Sequence, residues 1–253
     1  MLNQEFLLVA SADRPQWSAE HARVEQGMPL ARRLVSEFLG TGLLAIAVIG
    51  SGMAAEQFSP SDTGLQLLEN STASALGLAV LILVFGPVSG AHFNPIVSLA
   101  DWLRDGRRRM GLTTAHLGAY IAAQTAGAVV GAVVSNAMFD HPALQISTRH
   151  RVTGGHLIGE IVAAAGLIAV GFVVARHGRV VTAAAVATYL GSAIWFTSSG
   201  SFANPALTVG RMLSDSFTGI APASAPAFVI AQIVGGLAGL IVVALLYRPT
   251  RGS

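Results

Sequence analysis

The sequence predicts an all-α membrane protein of six transmembrane helices plus two half-helices, arranged as an inverted three-helix repeat. Three observations carry that reading. Six apolar stretches are long enough to cross a bilayer, two shorter ones contain Asn-Pro, and the motifs of the first half return in the second at an offset of about 110 residues.

The composition sets the solvent. Of 253 residues, 53% are hydrophobic and 11% charged, whereas a soluble domain carries about 25% charged residues. The mean hydropathy is +0.61. A spanning helix needs about 20 mostly apolar residues to cross about 30 Å of hydrocarbon. Six segments qualify, at roughly 34–54, 68–86, 115–137, 157–175, 180–197 and 226–247, the fifth being the shortest. The stretches near 92–103 and 202–213 are too short to cross. Residues 1–32 are polar and mixed. They lack the apolar core of a signal peptide and read as a cytoplasmic N-terminal tail. Residues 33–253 form one membrane domain, with repeats at about 33–137 and 156–247.

Every basic residue is an arginine. In a six-span alternation twelve of them fall on one side, in the tail, the second and fourth connections and the C-terminus. Arg149, Arg151 and Arg211 fall on the other. Twelve against three places both termini in the cytoplasm. The arginines sit in short clusters between spans, so the pI of 9.7 signals lipid contact and no nucleic acid. The chain has no cysteine, which excludes disulfides, thiolate metal sites and cysteine catalysis. The histidines show no metal-ligand spacing. No cofactor, metal site or catalytic residue is expected.

Ser-Gly-Ala-His-Phe-Asn-Pro-Ile at 89–96 answers Ser-Gly-Ser-Phe-Ala-Asn-Pro-Ala at 199–206. Ala-Gln-x-x-Gly-x-x-x-Gly at 123–131 answers the same pattern at 231–239, and Glu37 and Glu160 each open the first span of a half. Three spans per half is odd, so a direct sequence repeat must point the opposite way through the membrane, the inverted repeat of transport proteins. Proline fits the first helical turn and asparagine caps it. Asn94-Pro95 and Asn204-Pro205 therefore each start a half-helix, and the two N-termini meet near the bilayer centre. Irregular backbone at that depth is tolerated where it is buried in protein or lines a cavity. Two partial positive charges there repel cations, and two amides can donate to a passing oxygen. That is a constriction for neutral solutes.

The twin loops at Asn94, Pro95, Ile96 and at Asn204, Pro205, Ala206 resemble the signature loops of the aquaporin and aquaglyceroporin family, and Ser-Glu-Phe-Leu-Gly-Thr at 36–41 resembles that family's first-helix motif. The likeness covers about residues 33–247 and makes 33–253 an aquaporin-like channel domain. It implies a passive channel for small neutral solutes, a lipid-embedded homotetramer with one pore per subunit, and a place in the bacterial inner membrane. The resemblance also implies that Glu37 and Glu160 brace the signature loops. That role is preferred to proton relay.

Departures from the family pattern refine the expectation. Ile96 stands where the family has alanine; a compensated packing change is the plainer reading, a narrowed pore the other. The arginine that follows the second Asn-Pro-Ala in water and glycerol channels is here Leu207. Counting from the signature asparagines, the remaining filter positions are Ser74, Ser192 and Ser201. Such a ring is wide and uncharged, and suits glycerol-like polyols and trivalent arsenicals such as arsenous acid. Residues 202–220 resemble a bacterial branch that lacks the filter arginine, some members of which pass arsenicals. His92 is expected in the inner vestibule, with a packing role as the alternative. Arg211 either guards the outer vestibule or, more plainly, snorkels to pair with Asp215 or lipid phosphate. Gln124 and Gln232 read, with their glycines, as helix-packing features. The competing class is a proton- or ion-coupled secondary transporter, which would want an acid in the pore lining, and none is expected there.

Overall fold

The computed structural model describes residues 27–105 and 112–247. Most of the tail and the arginines at 107, 108, 109, 248 and 251 lie outside the described residues. Among the described residues eight α-helices follow in order: α1 Leu30–Phe58, α2 Thr63–Ser89, α3 Pro95–Asp105, α4 Thr114–Met138, α5 Gly154–Val174, α6 Arg179–Phe196, α7 Pro205–Arg211 and α8 Ala225–Leu246. A 3-10 turn, Ala175–His177, extends α5. All six expected spans are helices long and apolar enough to cross a membrane.

α2, α4 and α5 begin ahead of their apolar windows because the side chains of Asp62, Thr113 and Thr153 cap their first turns. α2 begins at Thr63, not near residue 68, since the Asp62 carboxylate accepts the Leu65 amide at 2.9 Å. Gln66, buried beside it, donates to Ser59 O at 2.8 Å and closes the α1–α2 turn. The half-helices start later than their apolar stretches. Ala91 and Phe93 have φ of 53° and 50°, and Ser201 and Ala203 of 45° and 44°, so neither loop is helical before its proline.

Packing follows the two repeats. α4 lies on α1 through Gly127, which meets the Phe38 carbonyl, and Gly131, which meets that of Gly42. α8 lies on α5 in the same way, Gly235 against Ile161 O and Gly239 against Ala165 O. A side chain at any of these glycines would strike backbone, so the expected helix-packing role of the glycines is what the fold uses. The outward faces carry Leu76, Val80, Val84, Ile230 and Leu245, all exposed. The buried set is polar by comparison: Glu37, Thr41, Ser74, Gln124, Glu160, Thr208 and Gln232 are each 0% exposed. Apolar side chains on the outer face, with polar ones withdrawn from it into the interior beside the apolar core, is the distribution a bilayer imposes.

Candidate functional site

The two signature loops meet at the centre and tie each other in place. Asn94 Nδ2 donates to Ala203 O at 2.7 Å, and Asn204 Nδ2 donates to Phe93 O at 2.8 Å. Each asparagine also caps its half-helix: Asn94 Oδ1 accepts the Ile96 amide at 2.9 Å, and Asn204 Oδ1 accepts those of Ala206 and Leu207 at 3.0 and 3.2 Å. A side-chain amide has two N–H groups. One of each is spent across the loops, which leaves the other for a solute oxygen. Asn94 and Asn204 both line the cavity described below.

The loops are strained and need bracing. Four non-glycine residues in left-handed conformation cost of the order of 1 kcal/mol each. Two buried carboxylates offset that cost. Glu37 accepts the amides of His92 and Phe93 at 3.0 and 2.7 Å, the Ser89 hydroxyl at 2.6 Å and Gln124 Nε2 at 2.7 Å. Glu160 accepts the amides of Phe202 and Ala203, both at 2.9 Å, and Gln232 Nε2 at 2.7 Å. These are charge-assisted bonds to acceptor-only groups. A glutamate held by three or four donors ties the loop to the helix that carries it.

Sequence reasoning missed the glutamines' part in this. Gln124 Nε2 also donates to Ser98 Oγ at 2.9 Å, and Gln232 Nε2 to Thr208 Oγ1 at 3.0 Å. Ser98 and Thr208 each follow a signature asparagine by four residues. Each glutamine thus links a glutamate to the half-helix of its own repeat, so these are bracing residues as well as packing ones. The repeated Ala-Gln-x-x-Gly pattern was the available signal.

A cavity of about 210 Å³ opens from the asparagines toward the end where α4 begins. Its wall includes Leu78 and Ile82 of α2, Val97 of α3, Val186 and Leu190 of α6, and Leu207. Ser74 precedes Leu78 by one turn on the same face of α2. It is fully buried, and neither its hydroxyl nor that of Ser201 has a partner among the described residues. Ser192 departs from expectation. It is exposed, and its hydroxyl donates to Thr188 O of its own helix. It stands two residues past Leu190, about 200° round the helix, so α6 turns it away from the face that lines the cavity. Ile194, one turn after Leu190, lies on that face instead. Gap-free counting located the residue number but could not see which way α6 is rotated.

His92 lines the cavity, half-buried, with Nδ1 3.0 Å from Ser98 Oγ. Asp101 and Arg104 line the same wall. The expectation of an acid-free lining is thereby corrected. Asp101 Oδ2 accepts the Leu112 amide at 3.3 Å. Ile96 does not reach the bore. It is 2% exposed and packs with Ala100 and Ile168, and a methyl placed on Gly236 of α8 would overlap its Cγ2. In the second repeat the corresponding pair is Ala206 and Ala128, both fully buried. The bulk of Ile96 is thus matched by a missing side chain on its neighbour.

Arg211 neither snorkels nor pairs with Asp215. It is 6% exposed, and its Nε donates to Thr218 O. Asp215 instead accepts the amide and hydroxyl of Thr148. Arg151, which sequence reading left unassigned, donates from Nε to Gly219 O at 2.6 Å and from Nη2 to Phe217 O at 2.7 Å. Burial and the neighbouring Arg149 guanidinium push Arg151 down to about 10, so it stays charged at neutral pH.

A family model described as Major intrinsic protein matches residues 25–198. The chain is 42% identical over 226 residues to the aquaglyceroporin AqpS of Rhizobium meliloti (strain 1021), covering 89% of this chain and 94% of that one. It is 32% identical over 209 residues to aquaporin NIP2-1 of Oryza sativa subsp. japonica, covering 76% and 64%. Its fold superposes on the X-ray structure of the aquaglyceroporin from Plasmodium falciparum with a TM-score of 0.68 at 21% identity, over 87% of this chain and 98% of the other.

Proposed function

The chain belongs to the major intrinsic protein family, a family of membrane channels and not enzymes, and from that premise we propose that it is a passive channel with a wide, uncharged filter. Its solutes are small and neutral: glycerol-like polyols, trivalent arsenicals such as arsenous acid, and water. The observation that carries this reading is Leu207, which is buried in the cavity wall where an arginine would narrow and charge the bore. Ser74 and Ser201 supply buried hydroxyls that have no partner among the described residues. Arsenous acid presents hydroxyl groups in the manner of a small polyol and is neutral at physiological pH, so the same bore and the same two asparagine amides serve both. The similarity to an aquaglyceroporin supports the polyol part.

A filter of Ser74, Ser201 and Leu207 is completed on α6 by Ile194 rather than Ser192. Glu37 and Glu160 hold the loops and take no part in transport. The arginine distribution supports both termini in the cytoplasm of a bacterial inner-membrane protein, and the family supports a homotetramer.

The experiment is solute uptake and light scattering in proteoliposomes, comparing wild type with Leu207→Arg. Wild type is expected to pass glycerol and arsenous acid, and the arginine to restrict both while sparing water. Equal solute permeability in the two proteins would refute the filter. Uphill accumulation of solute driven by a proton gradient would favour the coupled transporter, with Asp101 as its acid.

A further inference from the structure

The bore is uncharged at Leu207, yet two guanidinium groups lie directly behind its wall. Phe202 is part of that wall. Arg211 Cζ stands 3.2 Å from the centroid of the Phe202 ring, and Arg151 Cζ stands 5.3 Å from it. The two cations also hold three successive carbonyls, Phe217 and Gly219 by Arg151 and Thr218 by Arg211. Carbonyls satisfy the donors without cancelling the charge. The acids nearby are already engaged, Glu160 by the loop amides and Asp215 by Thr148. The repeat does not impose this arrangement. Asp101 occupies on α3 the position that Arg211 occupies on α7, seven residues after the signature asparagine in each case.

We propose that Arg151 and Arg211, set around the ring of Phe202, add to the half-helix N-termini a second barrier to cations and protons, placed in the layer behind the bore rather than in it. The proposal rests on the reading of the chain as a neutral-solute channel. The physical basis is that a charge behind a thin, low-dielectric wall still sets the potential inside the bore. A filter arginine supplies charge and narrows the bore with the same side chain. Here the two effects are separated, so the ring at Leu207 stays wide while the potential stays positive.

The test uses full-length wild type, Arg211→Met, Arg151→Met and Arg211→Lys in proteoliposomes. Proton flux is read with an internal pH dye under a potassium diffusion potential, and glycerol flux by light scattering. Each methionine variant is expected to raise proton leak about tenfold, the scale for removing a unit charge roughly 10 Å from the ion's path at an effective dielectric constant of about 20. Glycerol flux is expected to stay within about twofold of wild type, because the bore itself is untouched, and the lysine variant is expected to hold the wild-type leak. Unchanged leak in folded methionine variants overturns the proposal. So does a lysine variant that leaks as much as methionine, since the arginines would then act only as a clamp. Should the methionine variants not fold, Leu207→Gly widens the ring with both arginines intact. Leak at the wild-type level there supports the displaced barrier, and a tenfold rise overturns it. Absence of glycerol flux in wild type would refute the proposed function and leave the leak comparison readable.

Discussion

Ile96 and Gly236 are expected to behave as one packed unit, and a double-mutant cycle measures it. Ile96 is 2% exposed, and its Cγ2 fills the space a Gly236 methyl would take. Truncating a buried isoleucine to alanine costs 2–5 kcal/mol in soluble cores, approximately. In a membrane the unfolded helix stays in lipid, so the transfer part largely drops out and lost packing remains. That puts Ile96→Ala near the low end, at about 2 kcal/mol. Gly236→Ala forces a methyl into an occupied site, an overpacking cost of about 2 kcal/mol. Independent effects would sum to about 4 kcal/mol. The double variant recreates the Ala206–Ala128 pairing of the other repeat, where both residues are buried without conflict. It should lose only about 1 kcal/mol, a favourable coupling of about 3 kcal/mol. The assay is unfolding in mixed detergent micelles followed by tryptophan fluorescence, with the four proteins side by side. Additive losses would show that Ile96 and Gly236 do not share space. A glycerol permeability that rises sharply in Ile96→Ala would show that Ile96 lines the bore after all.

Glu160→Gln should destabilise the protein by about 2–4 kcal/mol, because it weakens three charge-assisted bonds to a strained loop; the readout is the monodisperse fraction on size exclusion, and an unaffected profile would contradict the bracing role. Thr208→Val should cost about 1 kcal/mol through the lost bond from Gln232, with Thr208→Ser restoring most of it in the same unfolding assay. Gly131→Val drives a branched side chain into the Gly42 carbonyl and should abolish stable folding, seen as loss of detergent-soluble protein. Asp101→Asn should leave glycerol flux unchanged and independent of a proton gradient, since a passive channel has no use for a titrating acid; a flux that loses proton dependence in this variant would point to coupling.

Much of the fold was legible because its signals are local. Six apolar windows, two Asn-Pro starts and an odd number of spans per half need no knowledge of distant partners, and Glu37 and Glu160 stand out because charge is costly in lipid. Leu207 was legible for the same reason, being fixed at three residues beyond Asn204. What stayed hidden depends on rotation and on contacts between distant segments. Ser192 has the expected number but the wrong azimuth on α6, which only packing against α2 and α5 sets. Gln124 looked like a packing residue until Glu37, 87 positions earlier, came within 2.7 Å of it.

The sequence by itself determined the membrane architecture, the inverted repeat, the paired half-helices and the leucine that follows the second Asn-Pro-Ala, because each is written in periodicity or in spacing along one segment. The tertiary structure alone decided three things: that Ile96 is absorbed by Gly236, that the glutamates are held by glutamines, and that Arg151 and Arg211 flank Phe202. Each of these is a meeting of side chains from different helices. Its energy depends on distance and direction in space, quantities that the order of residues along the chain does not contain.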